Sequence, residues 1–286
     1  MELFLSTLIN GLSLGGIYAM IALGYTMVYG IAKMLNFAHG DIIMVGGYTI
    51  YVFMATKNPL IAILMAVIVC IILGIVIEKV AYKPLRGASP LAVLITAIGV
   101  SYLLQSLAQI IFGSANKMVT VYEFGSITIF GVPMQVSALV TLGVTIAVMV
   151  ILTLFIKYTR LGRAMIAVSE DKGAAQLMGI NVNGIITVTF AIGSALAALA
   201  GLFYLLKAPS ISNTLGAMPG IKAFTAAVIG GIGSIPGAML GGLLMGVVEA
   251  ISLTIPPVAP YTDAIEFIIL LVRPTGFLGK KRREKV

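Results

Sequence analysis

The sequence predicts an all-α, polytopic integral membrane protein with about eight transmembrane helices, at least one of them a half-helix or a broken segment. Of the 286 residues, 60% are hydrophobic and 10% are charged, whereas about 25% are charged in an average soluble domain. The mean hydropathy is +1.11. Apolar runs of about 20 residues, the length that crosses a bilayer, recur along the chain. We therefore expect residues 1–286 to form a single transmembrane domain.

The predicted spans, in chain order, are 4–32, 40–56, 60–78, 91–112, 136–156, 184–206, 237–254 and 257–272. The last of these is short and contains Glu266. A further apolar run, 221–232, is too brief to cross a membrane alone and ends in Gly230-Gly231-Ile232-Gly233. We interpret this run as a half-helix, which a membrane tolerates where protein or a water-filled cavity covers the broken end.

The distribution of Lys and Arg predicts the orientation, because cytoplasmic loops of membrane proteins are enriched in positive charge. Fourteen of the 18 basic residues lie in loops 33–39, 79–90 and 157–183 and in the tail 273–286, which we place in the cytoplasm. The other four are Lys57, Lys117, Lys207 and Lys222. Because the positive charges lie between apolar runs rather than in one patch, the net charge of +8 does not indicate a nucleic-acid partner. The basic tail is expected to bind the anionic headgroups of the lipid bilayer.

The N-terminus conflicts with this orientation. Only Glu2 precedes the first apolar run, so the basic segment of a signal peptide is absent and the first helix is expected to be retained, with its start outside. An even number of spans would then place both termini on the same side. The sequence leaves two solutions open: either 221–232 and 237–254 enter and leave together from the outer face, or one span is miscounted.

Residues 113–135 form the longest segment expected outside. They alternate polar and apolar side chains and end near Gly131 and Pro133, a pattern typical of a small ordered loop or a pair of strands. The segment is either a plain connection or a contact for an extracytoplasmic partner.

The loop 157–183 is expected to contain a short capped helix. Ser169 is a suitable N-cap, acidic residues fill the first turn, and Gly179 stops the helix so that Ile180 packs back on its last turn. An isolated helix this short is marginal in water, so it needs a surface, either on a partner protein or on its own membrane domain. The residues assigned to this helix and its surface are Glu170, Asp171, Gly173, Ala174, Ala175, Leu177, Met178, Gly179 and Ile180.

Two interruptions of the apolar pattern, one in each half of the chain, are candidates for a translocation path. Polar residues at membrane depth usually face a cavity or the bundle interior, and interrupted hydrophobic segments mark binding sites in transporters. The residues concerned are Asn36, Phe37, His39, Gly40 and Asp41, followed by Gly230, Gly231 and Gly233. The alternative for 36–41 is a cytoplasmic turn in which His39 is a structural hydrogen-bonding residue.

Several chemistries have no counterpart in the sequence. No G-x-x-x-x-G-K-[ST] motif is present to hold ATP phosphates, and no nucleophile elbow or paired carboxylate site is recognisable, so we expect no enzyme activity and no cofactor. His39 lacks further ligands at metal-binding spacing, so no metal is expected. For Glu249 and Glu266 we favour pairing with backbone groups or with a partner at a helix end over a proton relay.

Four segments carry a family resemblance that spans essentially the whole chain. EDKGAAQLMGIN (170–181) resembles the coupling-helix motif of ABC importer permeases. LNFAHGDIIMVGGY (35–48), AVIGGIGSIPGAMLGG (227–242) and LLVRPTGFLG (270–279) look like those of the branched-chain amino-acid ABC transporter permease family, in particular the H-type subunit of the leucine/isoleucine/valine importer.

The resemblance implies an inner-membrane permease subunit that moves an amino acid in a larger complex. The implied partners are a second homologous permease, two cytoplasmic ATP-binding subunits that act through the helix at 170–180, and an extracytoplasmic substrate-binding protein. The alternatives are a related permease for another small solute, such as urea or a sugar, and a secondary transporter without an ATPase.

Overall fold

The computed structural model describes residues 2–122, 124–129 and 132–272. Its eleven helices within this range are α1 (Glu2–Ala32), α2 (His39–Phe53), α3 (Pro59–Ile77), α4 (Pro90–Phe112), α5 (Val136–Tyr158), α6 (Arg160–Glu170), α7 (Lys172–Leu177), α8 (Val182–Lys207), α9 (Ala217–Gly230), α10 (Ile235–Thr254) and α11 (Thr262–Val272). The all-α class is confirmed. The basic tail 273–286 lies outside the described residues.

Six of the described helices are long and apolar enough to cross a membrane: α1, α3 with its continuation to Leu85, α4, α5, α8 and α10. The prediction of a full span at 40–56 is wrong, because α2 has only 15 residues and rises about 22 Å. The prediction of a span at 257–272 is also wrong. Pro256, Pro257 and Pro260 lack backbone N–H groups, so α11 begins only at Thr262 and has 11 described residues.

The helix starts follow local capping rules. The Asn58 side chain accepts a hydrogen bond from the backbone N–H of Leu60 at the start of α3, and Ser89 does the same for Ala92 in α4. Pro59 and Pro90 follow these caps, at the position where a missing N–H costs nothing. A capping side chain followed by proline therefore starts both α3 and α4.

The centre of the bundle is α1, and α10 packs antiparallel along it. Gly11 and Gly15 of α1 face Gly246 and Gly242 of α10 so closely that a methyl group at Gly246 would overlap the backbone of Gly15. Small residues permit such an approach of two backbones. Helix α10 starts after the turn at Gly233, which lies near Gly30 of α1, and it runs back until Thr254 lies beside Thr7. The segments 221–232 and 237–254 therefore enter and leave together at the end of the bundle where α1 begins, as one of the two solutions requires, while the assignment of that end to the outer face stays a prediction.

One end of the bundle carries the short strands. Strands β2 (Ser126–Ile129) and β3 (Val132–Gln135) form an antiparallel hairpin, so the strand pair predicted in 113–135 is confirmed. Strand β1 (Lys117–Met118) pairs with β4 (Ser210–Ile211), just after α8. This pairing fixes the segment 208–216 at the same end before it turns into the bundle.

The opposite end collects three of the segments predicted to be cytoplasmic. The Lys172 Nζ donates a hydrogen bond of 2.7 Å to the carbonyl of Ala32 at the end of α1, and the Arg86 guanidinium bonds Asn183 at the start of α8. Burial lowers the pKa of the Lys172 amine, and the nearby Arg86 charge lowers it further. The loops after α1, α3 and α5 therefore lie together, while their placement in the cytoplasm stays a prediction.

Candidate functional site

Two short helices, α2 and α9, begin against each other inside the bundle; we call them the half-helices. Gly216 immediately precedes α9, and a methyl group added there would overlap the carbonyl of Gly40 in the first turn of α2. His39 packs against Gly24 of α1, which lies about 12 Å along the helix axis from the end of α1. The two helix N-termini therefore meet within the depth that α1 spans.

A cavity of about 290 Å³ opens beside this meeting point, between α2, α4 and α9. Its polar lining consists of Asp41 of α2 and of Ser101 and Gln105, one turn apart on α4. The remaining lining residues are Tyr25, Phe37, Gly40, Ile98, Tyr102, Gly216, Ala217, Gly220 and Ile221. Among the described residues, those that line this cavity include no Lys, Arg or His.

Asp41 is the acidic residue of the cavity. The residue is 2% exposed, and Gln105 Nε2 donates a hydrogen bond of 2.9 Å to its Oδ1. The same Nε2 also lies 3.2 Å from the Ser101 hydroxyl. Asp41 sits in the first turn of α2, where the helix dipole favours a negative charge. Within residues 2–122, 124–129 and 132–272, no basic side chain forms an ion pair with it.

Aromatic rings form the inner wall. Tyr25 packs edge-on against His39 with 4.8 Å between ring centroids and against Phe224 with 5.8 Å. Phe37 lies 5.3 Å from Phe224. The opposite wall is open, since Tyr102 is 67% exposed and Ile98 and Ile221 are also exposed. The cavity thus has a packed side within the chain and an unfinished side at its surface.

The structure separates the residues that the sequence assigned to one path. Phe37, Gly40 and Asp41 line the cavity. Asn36 and His39 are buried next to it, and the Asn36 side chain accepts a hydrogen bond of 2.9 Å from Tyr82. Gly230 ends α9, about 20 Å along the helix from its start.

Gly231 and Gly233 form the turn between α9 and α10. Both have positive φ angles, of 102° and 94°, which glycine adopts without strain. Gly233 lies near Gly30 of α1, close to the end where the loop after α1 lies. The two interruptions therefore lie at different depths of the bundle.

Sequence reasoning missed most of the cavity. Ser101 and Gln105 were detectable, because they are polar residues four apart within an otherwise apolar run. Gly216 and Gly220 gave no such signal, since a close approach between two helices is a tertiary feature. Pro219 was the one local indication that a helix starts before residue 221.

The other membrane acids form a separate ion cluster. Lys222 of α9 lies 3.1 Å from Glu249, 3.4 Å from Glu266 and 2.8 Å from Asp263. Lys222, one of the four basic residues expected outside, is instead buried in α9, within the run interpreted as a half-helix. The partner of Glu249 and Glu266 is a lysine side chain rather than the backbone groups or helix-end partner we favoured. We call these four residues the lysine cluster.

Helix α7 differs from its prediction at the start. Its N-cap is Asp171, whose carboxylate accepts hydrogen bonds from Gly173 and Ala174, and not Ser169, whose hydroxyl bonds Ile166 within α6. Glu170 ends α6, so it is not part of the first turn of α7. The amphipathic helix α6, which was not predicted, contains Ser169 and Glu170, so α7 has only six residues.

The end and the surface of α7 are clear. Gly179 has φ +80°, and the N–H of Ile180 bonds the carbonyl of Ala175, so the predicted glycine stop is confirmed. Ala175 is buried against the membrane domain, whereas Leu177 and Met178 are 91% and 82% exposed. With the exposed Ala174 they form a stripe at positions i, i+3 and i+4.

A family profile and two of the relatives below match nearly the whole length of this chain. The family profile described as "Branched-chain amino acid transport system / permease component" matches residues 7–273. The high-affinity branched-chain amino acid transport system permease protein BraD of Pseudomonas aeruginosa is 45% identical, over 99% of this chain and 98% of that protein. LivH of Escherichia coli, with the same description, is 42% identical over the same shares. The fructose import permease protein FrcC of Rhizobium meliloti is 32% identical over 47% of this chain and 41% of that protein.

Proposed function

The chain belongs to the family of branched-chain amino acid transport system permease components, and from this premise we propose that it is the membrane-spanning subunit of an ABC importer for branched-chain amino acids. It is a multi-pass inner-membrane protein that moves a solute and carries no reaction of its own. BraD and LivH align with nearly its full length, and both are described as permeases for branched-chain amino acids. The proposed partners are a second homologous permease, two cytoplasmic ATP-binding subunits and an extracytoplasmic substrate-binding protein.

The observation that carries the coupling role is the apolar stripe on α7. Leu177 and Met178 are almost fully exposed, although each would gain about 1.5–3 kcal/mol if buried. An amphipathic helix that presents such a stripe fits a groove on another protein. We assign this groove to the ATP-binding subunits.

The same helix is tied to the membrane domain, as a coupling element requires. Ala175 packs into the main core, and Lys172 bonds the end of α1. A displacement of α7 would therefore move α1, which carries Tyr25 on the wall of the cavity. Glu170, Asp171, Gly173, Gly179 and Ile180 shape the helix ends in this proposal, and Ala174, Leu177 and Met178 make the contact.

The experiment replaces the stripe and leaves the fold intact. In the complex reconstituted in liposomes, the double variant Leu177→Ser, Met178→Ser should lower leucine uptake and ATPase stimulation by at least about ten-fold, because it removes several kcal/mol of apolar contact. Gln176→Ser, on the same helix but outside the stripe, is the matched control. Normal uptake by the double variant in correctly assembled complexes would contradict the proposal.

We place the transport path at the half-helices. Helix N-termini that meet in a membrane leave polar backbone groups that lipid does not satisfy, but a solute or water in a cavity does. Because one wall of the cavity is open, a second permease would complete it. The path would then lead along α9 toward the turn that holds Gly230, Gly231 and Gly233. The alternative solute is a sugar or urea. Inhibition of leucine uptake by an excess of either solute would favour this alternative.

A further inference from the structure

We propose that the carboxylate of Asp41 binds the α-ammonium group of the amino acid as it passes through the cavity. This inference rests on the proposed function, since it assigns a chemical role within the same site. It adds a direct recognition step in the membrane, at a residue for which the family resemblance implies no ligand contact.

The first argument is the state of the charge. A carboxylate removed from water must be hydrogen-bonded and paired with a positive group, or it raises the free energy of the folded protein. Gln105 supplies one hydrogen bond, and the start of α2 supplies a partial positive charge. Neither is a cation, and the lining that residues 2–122, 124–129 and 132–272 supply contains no basic side chain. The missing positive charge is therefore one that a ligand would bring.

The second argument is access. Asp41 is nearly fully buried among protein atoms, yet it lines a cavity that also includes the exposed residues Tyr102 and Ile221. A buried acid that served only to cap α2 would need no such space in front of it. Here the space begins where the uncompensated charge lies.

The third argument is the match between the rest of the cavity and an aliphatic amino acid. Ile98, Ile221 and the ring of Phe37 offer an apolar wall for a branched side chain. The N-terminus of α9, which lines the cavity at Gly216 and Ala217, offers a partial positive charge to the substrate carboxylate. The volume of about 290 Å³ is near the lower limit of small-molecule sites.

This arrangement predicts that a transported substrate must carry an ammonium group. Removing the positive charge from the ligand leaves the Asp41 carboxylate unpaired and repelled by the ligand carboxylate. Buried polar groups left without a partner discriminate strongly between two ligands of the same shape. A branched 2-oxo acid, which keeps the side chain and the carboxylate, should therefore be excluded from the cavity.

The test uses the whole complex in liposomes, with leucine uptake and ATPase activity stimulated by the loaded binding protein measured side by side. Asp41→Asn keeps the shape and still accepts the Gln105 hydrogen bond, but has no charge. It should lower leucine uptake by at least about ten-fold while ATPase stimulation stays within about two-fold. Asp41→Glu keeps the charge and should retain about a quarter or more of the uptake. Thr153→Ala, a neutral change on α5 outside the cavity, is the control and should stay within about two-fold.

The outcomes separate this inference from the proposed function. If wild-type complexes hydrolyse ATP but do not take up leucine, the proposed function fails. If the wild type transports and Asp41→Asn transports equally well, only the ammonium site fails. The inference is also overturned if Asp41→Glu is as inactive as Asp41→Asn, or if Asp41→Asn prevents assembly, because the carboxylate would then act in packing.

Discussion

Two groups of buried acidic side chains, one beside each half-helix, differ in what neutralises them. Asp41 in the first turn of α2 has an amide hydrogen bond and a cavity in front of it, but no cation. Glu249 and Glu266 surround Lys222 on α9. Since an unpaired charge is costly away from water, the paired acids are expected to hold helices together and the unpaired one to bind a ligand.

The lysine cluster joins three helices around one amine, and a tyrosine of α1 adds a fourth helix. Glu249 comes from α10, and Glu266 and Asp263 come from α11. The Tyr18 hydroxyl of α1 donates a hydrogen bond of 2.6 Å to the second oxygen of Glu249. The cluster therefore fixes α9, the half-helix whose start lines the cavity, to the long helices behind it.

Glu78 is a further buried acid, and like the acids of the lysine cluster it has a basic partner. Glu78, which continues α3, is fully buried and forms an ion pair with Arg86. Its other oxygen accepts a hydrogen bond of 2.8 Å from the Thr187 hydroxyl of α8. Asp41 thus stands apart from the other buried acids of the described residues because it has no basic partner.

The strongest way to break the comparison is to remove the lysine. Lys222→Met leaves Glu249 and Glu266 buried without a cation, and breaking a buried pair in this way costs about 3–5 kcal/mol. We expect little assembled complex and a large drop in its melting temperature in detergent, measured against Lys79→Met, which changes an exposed lysine.

A second variant tests whether unpaired buried charge is the reason that Lys222→Met loses stability. The triple variant Lys222→Met, Glu249→Gln, Glu266→Gln removes the acids together with the amine, and should be more stable than Lys222→Met alone, because no buried charge is left unpaired. A single variant as stable as the wild type would show that the cluster does not hold α9.

The sequence predicted the class of fold and the long spans because each apolar run is a local property. It failed where the decisive contact comes from far along the chain. The burial of Lys222 was not predictable from its own run, because the acids that pair with it lie on two later helices. The role of Gly216 depends on a backbone from the other half of the chain. For α7, both Ser169 and Asp171 satisfy the capping rule, and only the length of α6 decides between them.

The next largest effect is expected beside the cavity, where the two half-helices meet. Gly216→Ala places a methyl group against the Gly40 carbonyl, so the two helix starts must move apart. Because the interior is closely packed, the backbone cannot make room for the methyl group without shifting neighbouring groups. A shift of about 1 Å at a precisely positioned site lowers activity by about a hundred-fold. We expect leucine uptake to fall by at least about ten-fold, while assembly is largely kept because the lysine cluster still holds α9.

Gly143→Ala is the matched control for this variant. Gly143 is also a helix glycine, on α5, and a methyl group there meets no atom within 4 Å. Its uptake should equal that of the wild type. Equal uptake by Gly216→Ala would show that the contact between the half-helices is not part of the path.

The smallest effect sharpens the comparison within the lysine cluster itself. Asp263 makes the shortest of the three ion pairs with Lys222, at 2.8 Å, but its side chain is 54% exposed, against 13% for Glu249. Solvent screens an exposed pair, which is worth about 0–1 kcal/mol.

If burial rather than distance determines the value of a pair, Asp263→Asn should change the stability of the complex by less than about 1 kcal/mol. Glu249→Gln, which also weakens the Tyr18 hydrogen bond, should cost more, because hydrogen bonds to charged groups contribute about 1.5–3 kcal/mol. Melting of the two purified complexes side by side in detergent decides the order, and a larger loss for Asp263→Asn would mean that distance outweighs burial here.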